Sequence, residues 1–523
     1  MPKLLHQLIV KSATQYPQNI ALSFKNKTID YESLANEISI IGHGFLNNGI
    51  SAGDRIAIYL PKGFETVISF FAASYVGAVF APINPLLKPA QVAYILKDCN
   101  VRILITSNDR LNKLNNILEN CDDLNLVIDI NNKAIKDNSS SHFKTKHWQD
   151  LKITDPRTTH TRNETDIAAI LYTSGSTGKP KGVVLSHKNI VLGAQSVVQY
   201  LKNTADDNIL AVLPFSFDYG FSQLTTAFYV GANITLMDYL LPRDVINAIN
   251  KFQITGLAGV PSMWNQLANL NWDQVTSLRY VCNSGGALPS STLSKLQTLL
   301  SNTDIYLMYG LTEAFRSTYL DPKDINEKPG SIGKAIPNAE VIVVRENGSV
   351  CDANEPGELV HCGPLVSLGY WNSPDRTAEI FKPAPLQKNN TTQDEIAVWS
   401  GDKVKRDEDG YLFFISRNDD MIKTSGYRVS PMEIEEVIYA SGLVSEAVAI
   451  GIPHPVIGQA IAIIATQKNK ITKEDLLAVC KKQLPNFMHP THIEFLTSLP
   501  KNPNGKIDRV QLSLQFGDLF SNG

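Results

Sequence analysis

Short apolar segments with the character of β-strands alternate with helix-length amphipathic segments along most of the chain. Arg55 to Leu60 has the character of a strand, and the helical periodicity of Phe64 to Val76 follows it. The same order recurs where Val101 to Thr106 precedes Asn108 to Asn120. Such alternation is typical of α/β layers with largely parallel sheets. It therefore predicts an α/β fold for the greater part of the chain.

The pattern changes at three places along the 523 residues, a length that suits about three units of ordinary domain size. The polar stretch Asn131 to Asn163 predicts a mobile excursion at the surface. From about Val341, shorter apolar runs separated by Gly and Pro turns indicate a β-rich subdomain. A compact unit follows Asp419, with helices predicted from Ser430 to Ala440 and from Lys473 to Gln483. We place the main domain boundary near Asp419.

Composition excludes several classes of function. The chain is 43% hydrophobic and 19% charged, with a net charge of -3, so it belongs to the soluble globular class and offers no field for nucleic acid. Its six cysteines are scattered without a CxxC pair, which predicts reduced thiols and a cytoplasmic location. The most apolar stretch, Val67 to Pro82, is shorter than the roughly 18 residues of a spanning helix. We expect a buried helix there and no membrane span.

The most informative segment is YTSGSTGKPKGVVLSHKN, from Tyr172 to Asn189. Its glycines and hydroxyl residues expose backbone amide and hydroxyl donors, and Lys179 and Lys181 add positive charge, which together suit phosphate. It is not a Walker A loop, because Thr173 stands where the first Gly belongs and Pro180 where the Ser or Thr belongs. The residues predicted to bind nucleotide phosphate are Thr173, Ser174, Gly175, Ser176, Thr177, Gly178 and Lys179.

Four further segments follow this loop in a recognisable order. They are MYGLTEA (Met308 to Ala314), SGDKVKRDEDGY (Ser400 to Tyr411), SRNDDMIKTSGYRVSPMEIE (Ser416 to Glu435) and LPKNPNGKIDR (Leu499 to Arg509). With them the sequence resembles, over essentially its whole length, the adenylate-forming superfamily of acyl-CoA synthetases, carrier-loading adenylation domains and firefly-type luciferases. The resemblance implies an ATP-dependent, AMP-forming enzyme that activates a carboxylic acid as an acyl adenylate and passes the acyl group to a thiol.

The resemblance also implies a domain architecture. We expect a large N-terminal domain, residues 1–418, made of two α/β subdomains and the β-rich subdomain. A small, mobile α+β domain, residues 419–523, is expected to carry the catalytic lysine. Asp419 resembles the hinge between the two domains, and the loop around Gly426 resembles the one presented to the incoming thiol arm after the small domain turns.

Roles at the nucleotide are implied residue by residue. In YGLTEA, Thr312 is expected to contact phosphate and Glu313 to help hold Mg2+, a hard cation that needs carboxylate oxygen. Tyr309 is expected to stack near the adenine, and Gly310 is expected among the residues that bind ATP or AMP. Asp402 is expected to accept both ribose hydroxyls, since a carboxylate has two oxygens for a vicinal diol.

Three cations complete the nucleotide site that the resemblance implies. Arg417 and Arg428 are expected to supply positive charge near the ribose and the α-phosphate. Lys506 resembles the catalytic lysine that bridges the substrate carboxylate and the α-phosphate. A fixed cation there lowers the barrier for two anions to approach one another.

The acid pocket is expected around LPFSFDYGFSQL, where Asp218 stands at a position that often holds histidine in long-chain acyl-CoA synthetases. In amino-acid adenylation domains, an aspartate in this context pairs with the substrate ammonium. Alternatively, Asp218 caps a helix that follows it. Arg316 is expected to pair either with a second acidic group of the substrate or with Asp218. The remaining pocket residues expected from the resemblance are small and polar, unlike a long apolar tunnel, and are Tyr219, Ser222, Gly259, Cys282, Ser284, Met308 and Ser317.

We expect no carrier domain after the catalytic lysine and therefore expect the acceptor thiol to come from a separate molecule. Coenzyme A and the phosphopantetheine of a separate carrier protein both fit. We favour an acyl-CoA synthetase acting on a small carboxylic acid, with an amino acid:carrier protein ligase as the alternative. The intact set of site residues argues against a relative that binds nucleotide without turnover, and no feature points to a luciferase-like oxidase.

Overall fold

The structure is a computed structural model that describes residues 1–131, 142–152, 157–173, 180–239, 241–385, 395–417, 421–424, 427–454 and 457–520. The β-strands are, in chain order, β1 Ile20–Phe24, β2 Lys27–Asp30, β3 Arg55–Tyr59, β4 Val79–Pro82, β5 Val101–Thr106, β6 Leu126–Asp129, β7 Lys144–His147, β8 Ile167–Thr173, β9 Lys181–Ser186, β10 Asn208–Ala211, β11 Asn233–Leu236, β12 Gly256–Gly259, β13 Tyr280–Asn283, β14 Asp304–Leu311, β15 Phe315–Leu320, β16 Ser331–Ala335, β17 Glu340–Val344, β18 Pro356–Cys362, β19 Phe381–Pro383, β20 Ile396–Arg406, β21 Leu412–Arg417, β22 Ile422–Thr424, β23 Tyr427–Val429, β24 Val444–His454, β25 Gly458–Gln467 and β26 His492–Phe495.

The α-helices are, in chain order, α1 Gln7–Gln15, α2 Tyr31–Asn47, α3 Phe64–Tyr75, α4 Pro89–Asp98, α5 Asn108–Leu118, α6 His187–Leu201, α7 Asp218–Val230, α8 Pro242–Phe252, α9 Pro261–Leu267, α10 Ser290–Leu299, α11 Pro374–Ile380, α12 Pro431–Ala440, α13 Lys473–Gln483 and α14 Arg509–Phe516. Short 3-10 helices span Trp148–Leu151, Pro322–Asp324 and Asn486–Met488.

A sheet of seven described strands, in the order β7-β6-β5-β3-β4-β8-β9, forms the first layer. Neighbours are parallel from β7 to β8, and β9 returns antiparallel to β8. Strands β3, β5 and β6 are almost entirely buried, as parallel strands covered on both faces must be. The predicted phosphate loop falls in sequence between the end of β8 and the start of β9.

A larger sheet runs in the order β17-β18-β20-β21-β16-β15-β14-β13-β12-β10-β11-β1-β2, with β19 paired to β20. The strands from β11 to β14 pair in parallel, and those from β14 through β21 to β17 pair antiparallel. The β-rich region predicted after Val341 therefore continues this sheet. Helix α7 begins beyond the carboxyl end of β10, where open α/β sheets place their ligands.

Packed phenylalanines join the two large sheets through helices α3 and α7. The Phe70 and Phe80 ring centroids are 5.1 Å apart, and Phe80 and Phe221 are 5.2 Å apart. Phe71 and Phe228 pack edge to face at 5.2 Å. All five side chains are buried, so aromatic contacts with α3 and β4 hold α7 in place.

The C-terminal part forms its own sheet in the order β23-β22-β25-β24, with β26 beside β25. Helices α12 and α13 cover one face through residues such as Ile434 and Leu476. Leu512 of α14 packs with Val448 and Ile450 on the other face. This region therefore has an apolar core of its own.

The prediction of an α/β fold is confirmed, and local predictions match closely. Helix α13 has the predicted bounds, and α3 and α5 begin at the predicted residues. The prediction of a mobile excursion from Asn131 to Asn163 is wrong in part, because Lys144–His147 forms strand β7 in parallel register with β6. Asp419, at the predicted boundary, lies outside the described residues.

Composition predicted reduced cysteine thiols and no membrane span. All six cysteines are free and buried. Within the described ranges, no helix is long and apolar enough to cross a bilayer.

Candidate active site

Glu313 sits in the tight connection between β14 and β15 and is almost fully buried. Its Oε1 accepts hydrogen bonds from Lys181 Nζ at 2.7 Å and from the Tyr370 hydroxyl at 2.6 Å. Burial alone would raise the pKa of Glu313, but the charge of Lys181 and these two hydrogen bonds hold that pKa below its ordinary value. The site therefore contains a buried, ionised carboxylate.

The fit of this carboxylate to Mg2+ can be judged from its surroundings. In the described part of the chain, no group of three or more His, Cys, Asp or Glu side chains could enclose a metal. Mg2+ is usually held by one or two carboxylates together with substrate phosphates and water. Glu313 meets that requirement, with Lys181 beside it as a further cation for the phosphates. The residues present thus fit a metal that enters with the nucleotide.

Asp402 on β20 and Arg417 on β21 are cross-strand partners. The Arg417 Nε donates to Asp402 Oδ1 at 2.8 Å, and the Tyr309 hydroxyl donates to Asp402 Oδ2. Burial and the Asp402 charge raise the pKa of Tyr309 well above its ordinary value, so its hydroxyl keeps its proton. Three residues predicted for the adenosine end of the nucleotide therefore lie together.

His361 on β18 packs beside Tyr309. Its ring is stacked near that of Tyr309, with centroids 6.0 Å apart and an interplanar angle of 19°. Burial lowers the pKa of His361 to about 3, so the ring is neutral. Neither ring nitrogen has a hydrogen-bond partner within the described residues.

Lys506 lies in a C-terminal loop that is docked on the N-terminal part of the chain. The Asn84 side-chain amide donates to the Pro503 carbonyl at 2.8 Å, and the Ser262 hydroxyl donates to the Gly505 carbonyl at 2.9 Å. Both accepting carbonyls lie within three residues before the lysine, so these bonds fix the backbone from which its side chain extends.

The Lys506 side chain runs over Gly285 toward the start of α7. Gly285 has a φ of +85°, which favours glycine, and a Cβ added there would lie 2.9 Å from Lys506 Cε and displace the lysine side chain. Lys506 Nζ lies 5.5 Å from the centre of the Phe217 ring. Burial lowers the pKa of Lys506, and the charge of Asp218 opposes that effect.

Asp218 is the first residue of α7, and the N-cap is Phe217, which makes no side-chain capping bond. Asp218 is therefore not the cap of this helix. Thr312 Oγ1 donates to Asp218 Oδ1 at 3.3 Å, which joins the YGLTEA segment to the acid pocket. Burial raises the pKa of Asp218, while the charges of Lys506 and Arg316 oppose that rise.

Arg316 on β15 is buried beside α7. Its Nη2 donates to the Ser222 hydroxyl, and its guanidinium lies 5.1 Å from the centre of the Tyr219 ring and 5.0 Å from that of Phe315. No described carboxylate, Asp218 included, forms an ion pair with Arg316. Of the two partners expected for Arg316, Asp218 is thus not the one that the structure pairs with it.

The other predicted pocket residues surround α7 and its neighbouring strands. The Tyr219 hydroxyl donates to the Cys282 carbonyl at 3.1 Å. Met308 Sδ accepts from the Tyr200 hydroxyl at 3.1 Å, and the Ser317 hydroxyl donates to the Ala314 carbonyl at 3.4 Å. Ser284 is buried, and Gly259 lies on β12 against Met263 and Trp264.

Of the predicted phosphate loop, Thr173 alone falls within the described residues. Thr173 ends β8, and its buried hydroxyl has no partner within the described residues. The predicted residues outside the described part are Ser174, Gly175, Ser176, Thr177, Gly178, Lys179, Asp419 and Gly426, together with the side chain of Arg428.

Four residues at the site were missed by sequence reasoning. Tyr370 and His361 carry no local signal, because only the tertiary fold brings the loop of Tyr370 and the strand of His361 to the nucleotide residues. Gln223 and Thr226 each lie four residues after a predicted pocket residue of α7, so helical periodicity would have placed them on the same face.

Comparison with known proteins identifies the family. A model of the AMP-binding enzyme family matches residues 9–371, and a model of the AMP-binding enzyme C-terminal domain matches residues 433–506. The chain belongs to the AMP-binding enzyme family. The predictions of this superfamily, of its two-part α/β fold and of an ATP-dependent acid–thiol ligase are thereby confirmed as a class.

Individual relatives have low sequence identity to this chain but match nearly all of it. A long-chain-fatty-acid–CoA ligase of Bacillus subtilis (strain 168) is 28% identical and covers 98% of this chain and 94% of its own. Tyrocidine synthase 1 of Brevibacillus parabrevis is 27% identical over 98% of this chain but only 45% of its own length. The crystal structure of the anthranilate CoA ligase AuaEII in complex with anthranoyl-AMP superposes with a TM-score of 0.88, at 25% identity, over 100% of this chain and 99% of that one.

Proposed function

We propose that the protein is an AMP-forming acid–CoA ligase. In the first step, a carboxylate oxygen of the acid forms a bond to the α-phosphorus of ATP and the bond to pyrophosphate breaks, which gives the acyl adenylate. In the second step, the thiol of CoA attacks the acyl carbon and AMP leaves. The observation that carries the proposal is the docked loop, which brings Lys506 to the junction of the nucleotide residues and the acid pocket.

The adenylation step requires two anions to approach, and the chain supplies cations for both. We assign Lys506 to the gap between the acid carboxylate and the α-phosphate, where a preorganised charge stabilises the transition state more than the ground state. Thr312 is assigned to the phosphates, and its bond to Asp218 keeps its hydroxyl at the pocket mouth. Mg2+, held through Glu313, would neutralise charge on the phosphate oxygens.

The adenosine end is assigned to the β20–β21 pair. Asp402 would accept the ribose hydroxyls in exchange for its present bond from Tyr309, and the bond from Arg417 orients its carboxylate. We assign Tyr309, Gly310 and His361 to the adenine. The roles of the phosphate loop, Thr173 to Lys179, and of Arg428 are proposed from the resemblance alone.

For thiol transfer, the loop that contains Lys506 would have to move away from the acid pocket. We propose that residues 419–523 turn about Asp419 as a unit after adenylation and bring the loop at Gly426 to the thiol arm. CoA is the favoured acceptor, because a CoA ligase is similar to this chain over nearly its full length. The six free, buried cysteines suit a reducing compartment, so we propose a cytoplasmic location.

Asp218 supports a second candidate, an amino acid:carrier protein ligase. A partly buried carboxylate at the pocket mouth, without an ion pair in the described residues, is suited to a substrate ammonium. In that case the acceptor is the phosphopantetheine of a separate carrier protein.

The test is acid-dependent exchange of labelled pyrophosphate into ATP, measured over fatty, aryl, hydroxy and amino acids with Mg2+ present. The best acid is then used to measure AMP release with CoA and with a phosphopantetheinylated carrier protein. We expect exchange with at least one acid and AMP release with CoA. Exchange without AMP release on CoA, together with release on the carrier, would establish the second candidate. No exchange with any acid would contradict both.

A further inference from the structure

A small buried cavity lies beside the acid pocket, between helices α6 and α7 and strands β10, β12, β13 and β15. Most of its lining is apolar, from residues such as Val197 and Ile209. Three polar side chains face it, Gln223, Thr226 and Arg316, whose exposed fractions are 5%, 3% and 4%. Such groups seldom line a buried cavity unless something bonds to them.

None of these three side chains has its hydrogen bonds completed. Gln223 Nε2 and Oε1, Thr226 Oγ1 and Arg316 Nε are all buried and have no partner within the described residues. Leaving buried polar atoms unpaired is costly, and several around one cavity indicate a bound group that pairs with them. Three of the four atoms are donors or hydroxyls, so the complementary group is an acceptor.

The charge of Arg316 makes that acceptor anionic. Its described contacts are all neutral: the Ser222 hydroxyl, the Met308 sulfur and the faces of two aromatic rings. A buried guanidinium without a counter-ion is unfavourable. A carboxylate would supply two oxygens for the fork of donors that the guanidinium presents.

One hydrogen bond between two side chains links the cavity to the acid pocket. Ser222 lines the pocket that also contains Asp218 and Thr312, and it accepts the bond from Arg316, which lines the cavity. Asp218, Ser222 and Thr226 occupy successive turns of α7. At 1.5 Å per residue, the cavity residues Gln223 and Thr226 lie about 7.5 Å and about 12 Å along the helix from Asp218.

We propose that the acid substrate carries a second anionic group at its far end, in the simplest case a second carboxylate, and that Arg316, Gln223 and Thr226 bind it. This inference rests on the proposed function, because it takes the reacting carboxylate to be the one beside Lys506. Arg316 is then the residue that selects a dicarboxylic acid over a simple fatty acid. Gln223 and Thr226 complete the hydrogen bonds to the distal group.

The first test compares acids in the pyrophosphate exchange reaction. Linear dicarboxylic acids from succinate to suberate are paired with monocarboxylic acids of equal carbon number and with the α-amino diacids aspartate and glutamate. We expect the best diacid to exceed its monoacid by about tenfold or more in kcat/KM. The amino diacids distinguish a plain diacid substrate from an acidic amino acid. Equal activity with the monoacids would overturn the proposal and leave water as the occupant of the cavity.

Variants connect that preference to the three residues. Arg316→Met should lose about 100-fold in kcat/KM on the diacid while keeping or gaining activity on the monoacid. Thr226→Val and Gln223→Leu should each lose about three- to tenfold on the diacid alone. Thr235→Val is the matched control, because its buried hydroxyl on β11 already donates to Asn208. Equal loss on both acids in Arg316→Met would contradict the selective role.

Two measurements separate this inference from other failures. The Tm of Arg316→Met should equal or exceed that of the parent, since the variant removes an unpaired buried charge. A large drop in Tm would assign Arg316 a structural role instead. Calorimetric binding of glutarate or adipate without ATP, absent in Arg316→Met, would support the site even if no acid supports exchange, an outcome that contradicts the proposed function alone. No binding of any diacid in either assay would overturn the inference.

Discussion

The side-chain amide of Asn84 donates to the backbone carbonyl of Pro503 at 2.8 Å, a contact between residues 419 positions apart. With the bond from Ser262 to Gly505, it holds the loop of Lys506 over the acid pocket. On the proposed role of Lys506, this is the arrangement that adenylation requires. If the proposed rotation occurs, the same two bonds must break before thiol transfer.

Lys506→Ala should cripple adenylation and spare thioester formation from a supplied acyl adenylate. Only the first step brings two anions together, so only that step needs the cation, and the expected loss is about 100-fold or more. The two half-reactions are measured separately, by pyrophosphate exchange and by acyl transfer to CoA. Equal loss in both would point to a folding defect and remove Lys506 from its assigned role.

The double variant Asn84→Ala, Ser262→Ala should slow adenylation by about 10- to 100-fold, because each hydrogen bond contributes about 0.5–1.5 kcal/mol to the docked loop. Acyl transfer from a supplied adenylate should be unchanged or faster. Asn326→Ala, whose exposed side chain accepts a hydrogen bond from Gln297, serves as the control. A variant with unchanged adenylation would show that these bonds do not limit the docked state.

Glu313→Gln should raise the Mg2+ concentration needed for half-maximal exchange. The substitution keeps the size of the side chain but removes an ionised oxygen ligand and the charge that pairs with Lys181. The measurement is a Mg2+ titration at fixed ATP, with the surface variant Glu474→Gln as a control. An unchanged titration would exclude Glu313 from the metal site.

His361 should make folding stability depend on pH. Burial lowers its pKa to about 3 from 6.5, so its contribution is complete above pH 6.5 and is lost as the pH falls toward 3, where the unfolded state binds the extra proton. From pH 7 to pH 5 the loss is about 2 kcal/mol. His361→Phe should reduce the pH dependence of denaturant unfolding by that amount, while the exposed His160→Phe should not. An unchanged slope in His361→Phe would contradict this assignment.

Structural elements could be predicted from the sequence where they depend on interactions between residues close together in the chain. The bounds of α13 and the start of α5 follow from local periodicity, so they could be predicted closely. Strand β7 was missed, because an edge strand of polar residues lacks the apolar signature. Fold class depends only on the alternation of such elements and was therefore accessible.

The candidate site, too, could be predicted from the sequence only in part. Motifs identified Glu313 and Asp402, but not that Lys181 and Tyr370 hold Glu313. Those contacts join residues far apart in the chain, in strand β9, in the turn after β14 and in the loop before α11. The expected alternatives for Arg316 could not be separated by sequence, because only the packing around it shows which carboxylates are absent from its surroundings.

Asp218→Asn decides whether the substrate carries an α-ammonium group. Asp218 is the first residue of α7 rather than its cap, and burial raises its pKa against the opposing charges of Lys506 and Arg316. Its carboxylate accepts a hydrogen bond from Thr312 but forms no ion pair in the described residues. A substrate ammonium would supply the ion-pair partner, and leaving a buried charge unpaired costs several kcal/mol. If the substrate is an amino acid, Asp218→Asn should weaken its selection by about 10- to 1000-fold in kcat/KM while the des-amino acid holds or gains activity. Pyrophosphate exchange with each matched pair of acids measures the ratio. A parent enzyme that takes only acids without the amino group, or a variant that activates amino acids unchanged, would exclude the ammonium role, and the CoA ligase would then stand without its carrier-protein alternative.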